Sequence, residues 1–289
     1  MAASGKDQVK IILVMGKSGS GKQPRIDCLA EEFGFKQIST GNLFRECIGT
    51  FNSIGFEGSL NETWDEEKKD FKDDAVIVEL LKQKSKTPDV LAKPETNMQT
   101  VLLGCKAKYF VESGLFVPDT LTHGIFANAF ESYFAAPLES CGSARRGLIL
   151  DGFPRTIGQA EFLLELLSKH SLKVDFILEV DLDDETIVKR TTGRRICPGC
   201  QSVFHLMFKP PRDGQFCTKC GAVVKQRADD ATEDLLRRRL NEFATKVAPC
   251  LAFLKEKGIP VVTVPGNLPD PSPAAVKESV MGSVSKLWQ

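Results

Sequence analysis

The sequence predicts an α/β fold, a parallel five-stranded sheet with helices on both faces, carrying two segments of different character. Short apolar runs rich in β-branched residues recur at 9–15, 36–38, 147–150, 174–180 and 260–264. Runs of helical period lie between them, as at 25–32 and 236–255. Strand alternating with helix argues for a parallel sheet, because each return to the same sheet edge needs a crossover. Two stretches, 49–100 and 196–226, follow neither period.

The first run, ending Ile11-Ile12-Leu13-Val14-Met15, is almost continuously apolar, as a strand covered on both faces must be. It leads straight into Gly16-Lys17-Ser18-Gly19-Ser20-Gly21-Lys22 and then a helical pattern, the setting a phosphate-binding loop requires. Glycines let backbone N–H groups turn toward phosphate oxygens, the helix N-terminus adds unsatisfied donors, and Lys22 supplies a point charge. The sheet is therefore expected to be of the P-loop NTPase type. Gln23 stands where Ser or Thr would present a hydroxyl to Mg²⁺, so the metal must be held from elsewhere.

The second strand runs into Ile38-Ser39-Thr40-Gly41-Asn42-Leu43-Phe44-Arg45, where Thr40 is placed to cap a helix beginning near Asn42. Residues 49–100 contain the charged run 61–70, with Pro88 and Pro94, and read as a surface insertion. The strand 147–150 ends on Asp151, whose carboxylate emerges where open α/β sheets bind ligands and could hold Mg²⁺ through water. After the strand at 174–180 come Thr192-Gly193-Arg194-Arg195 and then Cys197-Pro198-Gly199-Cys200 and Cys217-Thr218-Lys219-Cys220. Four thiolates at this spacing fit a tetrahedral zinc site with no open position, hence a structural one. His205, inside this lobe, is not needed as a ligand. Asp229-Asp230 ahead of Glu233 suggest the N-cap of the long helical run, and 266–273 is a loop rich in Pro and Gly.

Composition excludes several classes. With 38 Lys and Arg against 38 Asp and Glu, nothing draws the whole chain to nucleic acid or an anionic membrane, and neither partner is expected. The apolar runs fall far short of the roughly 20 residues a membrane helix needs. The first residues lack the apolar core of a secretory signal, and four of nine cysteines bunch as a metal site would, so a reducing, cytoplasmic location and a monomer are expected.

Taken in chain order, the phosphate loop, 38–45, the string Asp151-Gly152-Phe153-Pro154-Arg155-Thr156 with Gln159, and 192–195 resemble the adenylate kinases. Further matches are 114–119, the cysteine segment, 226–230 and 239–243; the resemblance spans nearly all the chain outside 49–100 and about 135–145. It is similar to the long form, whose mobile LID carries the cysteines. The implied organisation is a core of 1–39, 121–192 and 231–289, an NMP-binding region 40–120 holding the insertion, and a LID 193–230.

The resemblance implies transfer of the terminal phosphoryl of ATP to AMP, giving two ADP, with Mg²⁺ bound to ATP and structural Zn²⁺ in the LID. It assigns Gly16, Ser18, Gly19, Ser20, Gly21, Lys22, Thr40, Gly41, Gly152 and Gly266 to nucleotide binding. Arg45 and Arg155 would clamp the AMP phosphate, Arg190, Arg194 and Arg227 would close over the donor phosphates, and Gln159 would read the AMP base edge. Arg238 and Arg239 compete for a further phosphate contact, since 230–240 is one residue longer than the family pattern. Arg239 is preferred, because an extra residue fits the turn around Ala231 and Thr232, whereas inside a helix it would rotate later side chains by about 100°.

Four positions depart from the family. Its loop reads Gly-x-Pro-Gly-x-Gly-Lys-Gly-Thr; here Ser18 replaces the proline, Gln23-Pro24 follow Lys22, and Asn42 replaces an aspartate. Pro24 has no N–H, a loss of about 1–3 kcal/mol of phosphate contact if nothing replaces it. These changes predict weak ATP binding or slow turnover, and at the extreme a nucleotide-binding protein of this fold without transfer. A zinc-ribbon nucleic-acid binder is a further alternative, but gives Arg45, Arg155 and Gln159 no purpose.

Overall fold

Nine strands occur in chain order among the described residues: β1 (Lys10–Met15), β2 (Lys36–Ser39), β3 (Trp64–Asp65), β4 (Asp70–Phe71), β5 (Gly147–Asp151), β6 (Phe176–Asp181), β7 (Arg194–Ile196), β8 (Val203–His205) and β9 (Val261–Pro265). The structure, a computed structural model, describes residues 9–87, 89, 91, 97–135, 147–200, 202–207, 209–226, 232–270 and 272–287. Five strands form one parallel sheet in the order β2-β5-β1-β6-β9. All five are the apolar runs of the sequence. The central strand β1 is the most apolar because both neighbours and both faces cover it: Ile11, Ile12 and Leu13 are fully buried.

On one face, helices Lys22–Phe33 and Pro273–Val284 pack Ile26, Leu29, Val276, Val280 and Val284 against Ile12, Val14 and Leu178. Helix Ile157–Lys169 buries Ala160, Leu163 and Leu167, and the Phe126 and Phe153 rings stack with centroids 4.0 Å apart. The carboxyl ends of all five strands carry residues singled out by the sequence or their neighbours: Gly16, Ser39, Asp151, Asp181 and Gly266.

The chain forms two compact units, one from Met1–Ser39 with Phe126–Gln289, the other Thr40–Ile125. In the second unit, helix Thr40–Ser53 packs on helix Met98–Glu112 so closely that a Cβ on Gly104 would lie 2.1 Å from the Cys47 carbonyl oxygen. The stretch 49–100 is more than the surface insertion its charges suggest. Phe51, Ile54, Ile77, Leu81 and Val101 make one buried cluster, and Trp64 stacks on Tyr109 at 5.0 Å. Its charges cap and turn the chain: Ser59 and Glu62 form a capping box, and Asp65 accepts from the Glu67 and Lys68 N–H groups.

The run 236–255 is two helices, Glu233–Glu242 and Ala248–Glu256, joined by a π turn at Phe243–Val247. Pro249 explains the break: it cannot donate to the Thr245 carbonyl and its ring crowds it, so the ladder widens and the Ala248 N–H bonds Phe243 O. The N-cap of the first of these helices is Thr232, whose hydroxyl accepts from the Leu235 N–H; Asp229 and Asp230 lie outside the described residues. The helix after β2 begins at Thr40, two residues before the sequence expectation, so Thr40 is its first residue and not its cap. No helix among the described residues is long and apolar enough to cross a membrane.

Candidate active site

The loop between β1 and helix Lys22–Phe33 is shaped by what surrounds it. Gly16, at φ 141°, passes β6 so closely that a Cβ would lie 2.4 Å from the Val180 carbonyl oxygen. Gly19, at φ 89°, leaves only 2.6 Å between a Cβ and Thr191 Oγ1. A side chain at either position would push the loop out of shape. Lys22 folds back over the loop, donating to the carbonyl oxygens of Gly16 at 2.8 Å and Lys17 at 2.9 Å. The Ser20 hydroxyl is buried within the loop and finds no hydrogen-bond partner among the described residues.

Cations converge on Lys22 from distant stretches of sequence. Burial pulls its ammonium down from 10.5 to about 8; Asp151 opposes this, and the guanidiniums of Arg155, Arg239 and Arg194 add to it. Arg239 donates to Ser18 Oγ at 2.7 Å, whereas Arg238 is exposed. Arg190 donates to the Gly266 carbonyl at 3.1 Å and to Asn267 Oδ1 at 2.5 Å. Gly266 in turn donates to Asp181 O at 2.6 Å, and a Cβ on it would lie 2.3 Å from Ser20 O, so the turn after β9 abuts the phosphate loop. Arg227 lies outside the described residues.

Asp151 pairs in register with Val14 of β1 and Ser39 of β2. Its Oδ2 accepts from Ser39 Oγ at 2.9 Å and Gln37 Nε2 at 3.2 Å. Gln37 also exchanges amide hydrogen bonds with Gln23, at 3.0 Å and 3.3 Å, and Gln23 donates to Asp27 at 2.8 Å. Gln23, conspicuous in the sequence as a missing hydroxyl, is thus tied to the carboxylate. Sequence reasoning also passed over Arg25, buried in the first turns of the helix; its signal was a charged residue within the inward-facing set Arg25, Ile26 and Leu29.

Gly152 follows Asp151 at φ 74°, and the chain then reaches Arg155, whose N–H donates to Gln159 Oε1 at 2.8 Å. Thr156 caps the helix through the Gln159 N–H. Gln159 is buried and half its carboxamide is committed to the backbone, unlike an exposed helix-surface glutamine. In the second unit, Thr40 is buried at the start of its helix, the Arg45 guanidinium donates to Asn42 Oδ1, and a Cβ on Gly41 would lie 3.3 Å from Arg45 Nη1. Asn42 therefore supplies a neutral acceptor to Arg45.

Beside β7 and β8, the Sγ atoms of Cys197, Cys200, Cys217 and Cys220 all lie within 4.8 Å of one another. The Cys197–Cys220 and Cys200–Cys217 pairs are 3.3 Å and 3.5 Å apart. A tetrahedron of Zn–S bonds of about 2.3 Å places thiolates about 3.8 Å apart, so the cluster fits that ion. The N–H groups of Cys200 and Lys219 point at the sulfurs of Cys197 and Cys217, as suits thiolate ligands. The lobe has little other core: Phe204 and Val224 pack on the two buried cysteines.

Residues 87–259, more than half of the chain, match the adenylate kinase family. The chain is similar to the adenylate kinase of Symbiobacterium thermophilum, 32% identical over 273 residues that cover 94% of this chain and 99% of that protein. The adenylate kinases of Pelobacter propionicus and Bacillus subtilis are 31% and 30% identical over 89% and 86% of this chain, and 90% and 87% of their own length. A P-loop sheet that gathers arginines around one lysine, a four-cysteine lobe and this breadth of similarity lead to one conclusion: the chain belongs to the adenylate kinase family.

Proposed function

We infer that this enzyme, a nucleoside monophosphate kinase by family, uses ATP with Mg²⁺ as donor and AMP as acceptor and releases two ADP. The observation that carries this is the convergence on Lys22 of Arg155, Arg194, Arg239 and Asp151 at the mouth of a phosphate loop. An oxygen of the AMP phosphate attacks the γ-phosphorus of ATP as the bond to the β,γ-bridging oxygen breaks. The nucleophile is already an anion, so no general base is required. Catalysis then consists of alignment and neutralisation of charge.

Lys22 and the loop amides bind the donor phosphates, with Arg194, Arg227 and Arg239 supplying further positive charge and Arg190, anchored from helix Asp184–Thr192 to the turn after β9, closing over them. Arg45 and Arg155 hold the acceptor phosphate, with Thr40, Gly41 and the Gln159 amide around the AMP. Asp151 would hold Mg²⁺ through water at Oδ1, because Oδ2 already takes the bonds from Ser39 and Gln37. A magnesium ion held there would supply charge neutralisation to the donor phosphates. The four cysteines hold Zn²⁺, which has no open position for catalysis and pins the LID, residues 193–230. Residues 40–120 bind the monophosphate, and the enzyme works as a monomer.

The test is ADP formation by the full chain with ATP and Mg²⁺, run across AMP, GMP, CMP and UMP, with zinc measured on the same sample. Turnover with AMP far above the others, and one zinc per chain, is expected. Nucleotide binding without turnover would overturn the kinase reading in favour of a sensor of the same fold.

A further inference from the structure

Arg25 is the most unusual charge in the first unit. Only 3% of it is exposed, its Nη1 donates to the Gly21 carbonyl at 3.0 Å, and its Nη2 donates to the Pro265 carbonyl at 2.6 Å. Its Nε is buried with no acceptor, and no carboxylate pairs with it among the described residues. Two neutral carbonyls do not neutralise a buried guanidinium, and such a group is costly unless an anion lies near. Burial, and Arg190 beside it, hold Arg25 below the usual arginine range, so the neighbourhood is short of negative charge.

Both carbonyls belong to the donor side. Gly21 is the last residue of the phosphate loop, and Pro265 begins the turn whose Gly266 and Asn267 hold Arg190. Gly21 and that turn nearly touch, since a Cβ on Gly21 would lie 3.1 Å from Gly266 O. One residue earlier, Pro24 removes one of the four orphan N–H groups that open the helix and would face an anion. The lost donor and the unneutralised cation are adjacent in sequence and share one helical turn.

We propose that Arg25 is a positioning residue of the donor site: its guanidinium bolts the phosphate loop to the turn after β9 and places beneath them a positive charge that offsets the N–H missing at Pro24. The bridge fixes the loop in its anion-accepting form, and the bound polyphosphate is the counter-ion that the buried guanidinium lacks. The proposal rests on the ATP-donor reading above.

Its test compares Arg25→Gln and Arg25→Lys, each alone and combined with Pro24→Thr, by steady-state kinetics, direct ATP titration and thermal melting of the full chain. Arg25→Gln is expected to raise the KM and Kd for ATP about tenfold while the KM for AMP moves less than about twofold. Arg25→Lys, which keeps the charge but lacks the two-armed planar fork that spans Gly21 and Pro265, is expected to lose about threefold. With Pro24→Thr present, more than half of each loss should vanish. An unchanged ATP affinity, an equal rise in both KM values, or the same loss with and without Pro24→Thr would overturn the proposal. If Arg25→Gln does not fold, the two Arg25→Lys proteins decide by the same criteria. Failure of the unsubstituted enzyme to turn over sinks the kinase reading alone, because the ATP titrations still measure what Arg25 does.

Discussion

Arg239 donates to the Ser18 hydroxyl at 2.7 Å and so joins helix Glu233–Glu242 to the phosphate loop across 221 positions of sequence. Ser18 stands where the family carries proline, which has no side-chain acceptor. The loop therefore holds Arg239 in place before any phosphate arrives, and a group already aligned loses less freedom on binding.

Arg239→Ala should accordingly lower kcat/KM by about a hundredfold, with little change in melting temperature. Arg238→Ala, which removes an exposed neighbour on the same helix, should stay within about twofold of the parent enzyme. Steady-state kinetics of the two variants checks this, and equal losses would mean that the added residue between 230 and 240 rotates the helix differently.

Lys22 sets the pH dependence. In the nucleotide-free fold its ammonium is held at about 8, mainly by burial, and a polyphosphate against it raises that value again. ATP affinity should be flat below about pH 7 and fall as pH rises through 8, with protons taken up on binding near pH 8. The sign for folding is opposite: the unfolded chain keeps this proton up to the ordinary 10.5, so from about 8 to 10.5 the Lys22 contribution makes stability rise with pH. Calorimetric titration in two buffers of different ionisation enthalpy measures the uptake, and Lys22→Met should abolish it.

Much of this was legible in the sequence, and the omissions have physical causes. The five sheet strands are short, β-branched and apolar, and strand-end residues such as Gly16 and Asp151 announce themselves by following them. In 49–100 the core residues Phe51 and Ile54, and Ile77 and Leu81, keep helical spacing only in two short pieces, and the charged run between them masks the pattern. Pro249 was visible, but its consequence, a π turn that lets the helix continue in shifted register, depends on packing beyond it. Motif reasoning registered Gln23 and Pro24 as losses. The contacts that Gln23 makes with Gln37 and that Arg25, next to Pro24, makes with Pro265 span 14 and 240 residues, out of reach of local pattern.

The cysteine lobe should depend on its metal. With Phe204 and Val224 as its main apolar filling, it has too little core to hold two short strands unaided. Cys197→Ser should lose the single zinc and melt several degrees lower, whereas Cys28→Ser, outside the lobe, should keep both zinc and stability. Metal analysis with calorimetry decides. A metal-free protein of unchanged melting temperature would show that the fold closes the cluster without an ion.

Asp151 offers the last prediction. Its Oδ2 is held by Ser39 and Gln37, and the Gln37 amide is oriented by its exchange of hydrogen bonds with Gln23. A carboxylate fixed through one oxygen presents the other to a hydrated cation in a constant direction, which matters more when Gln23, not Ser or Thr, follows Lys22. Gln37→Leu removes the donor directly and should raise the Mg²⁺ concentration for half-maximal activity about tenfold. Gln23→Gly removes only the orientation and should raise it less, about threefold, with the KM for AMP unchanged in both. A magnesium titration at fixed free ATP separates the outcomes. If Gln23→Gly costs as much as Gln37→Leu, Gln23 meets the metal's hydration shell itself, and the residue that replaced a glycine has become part of the magnesium site.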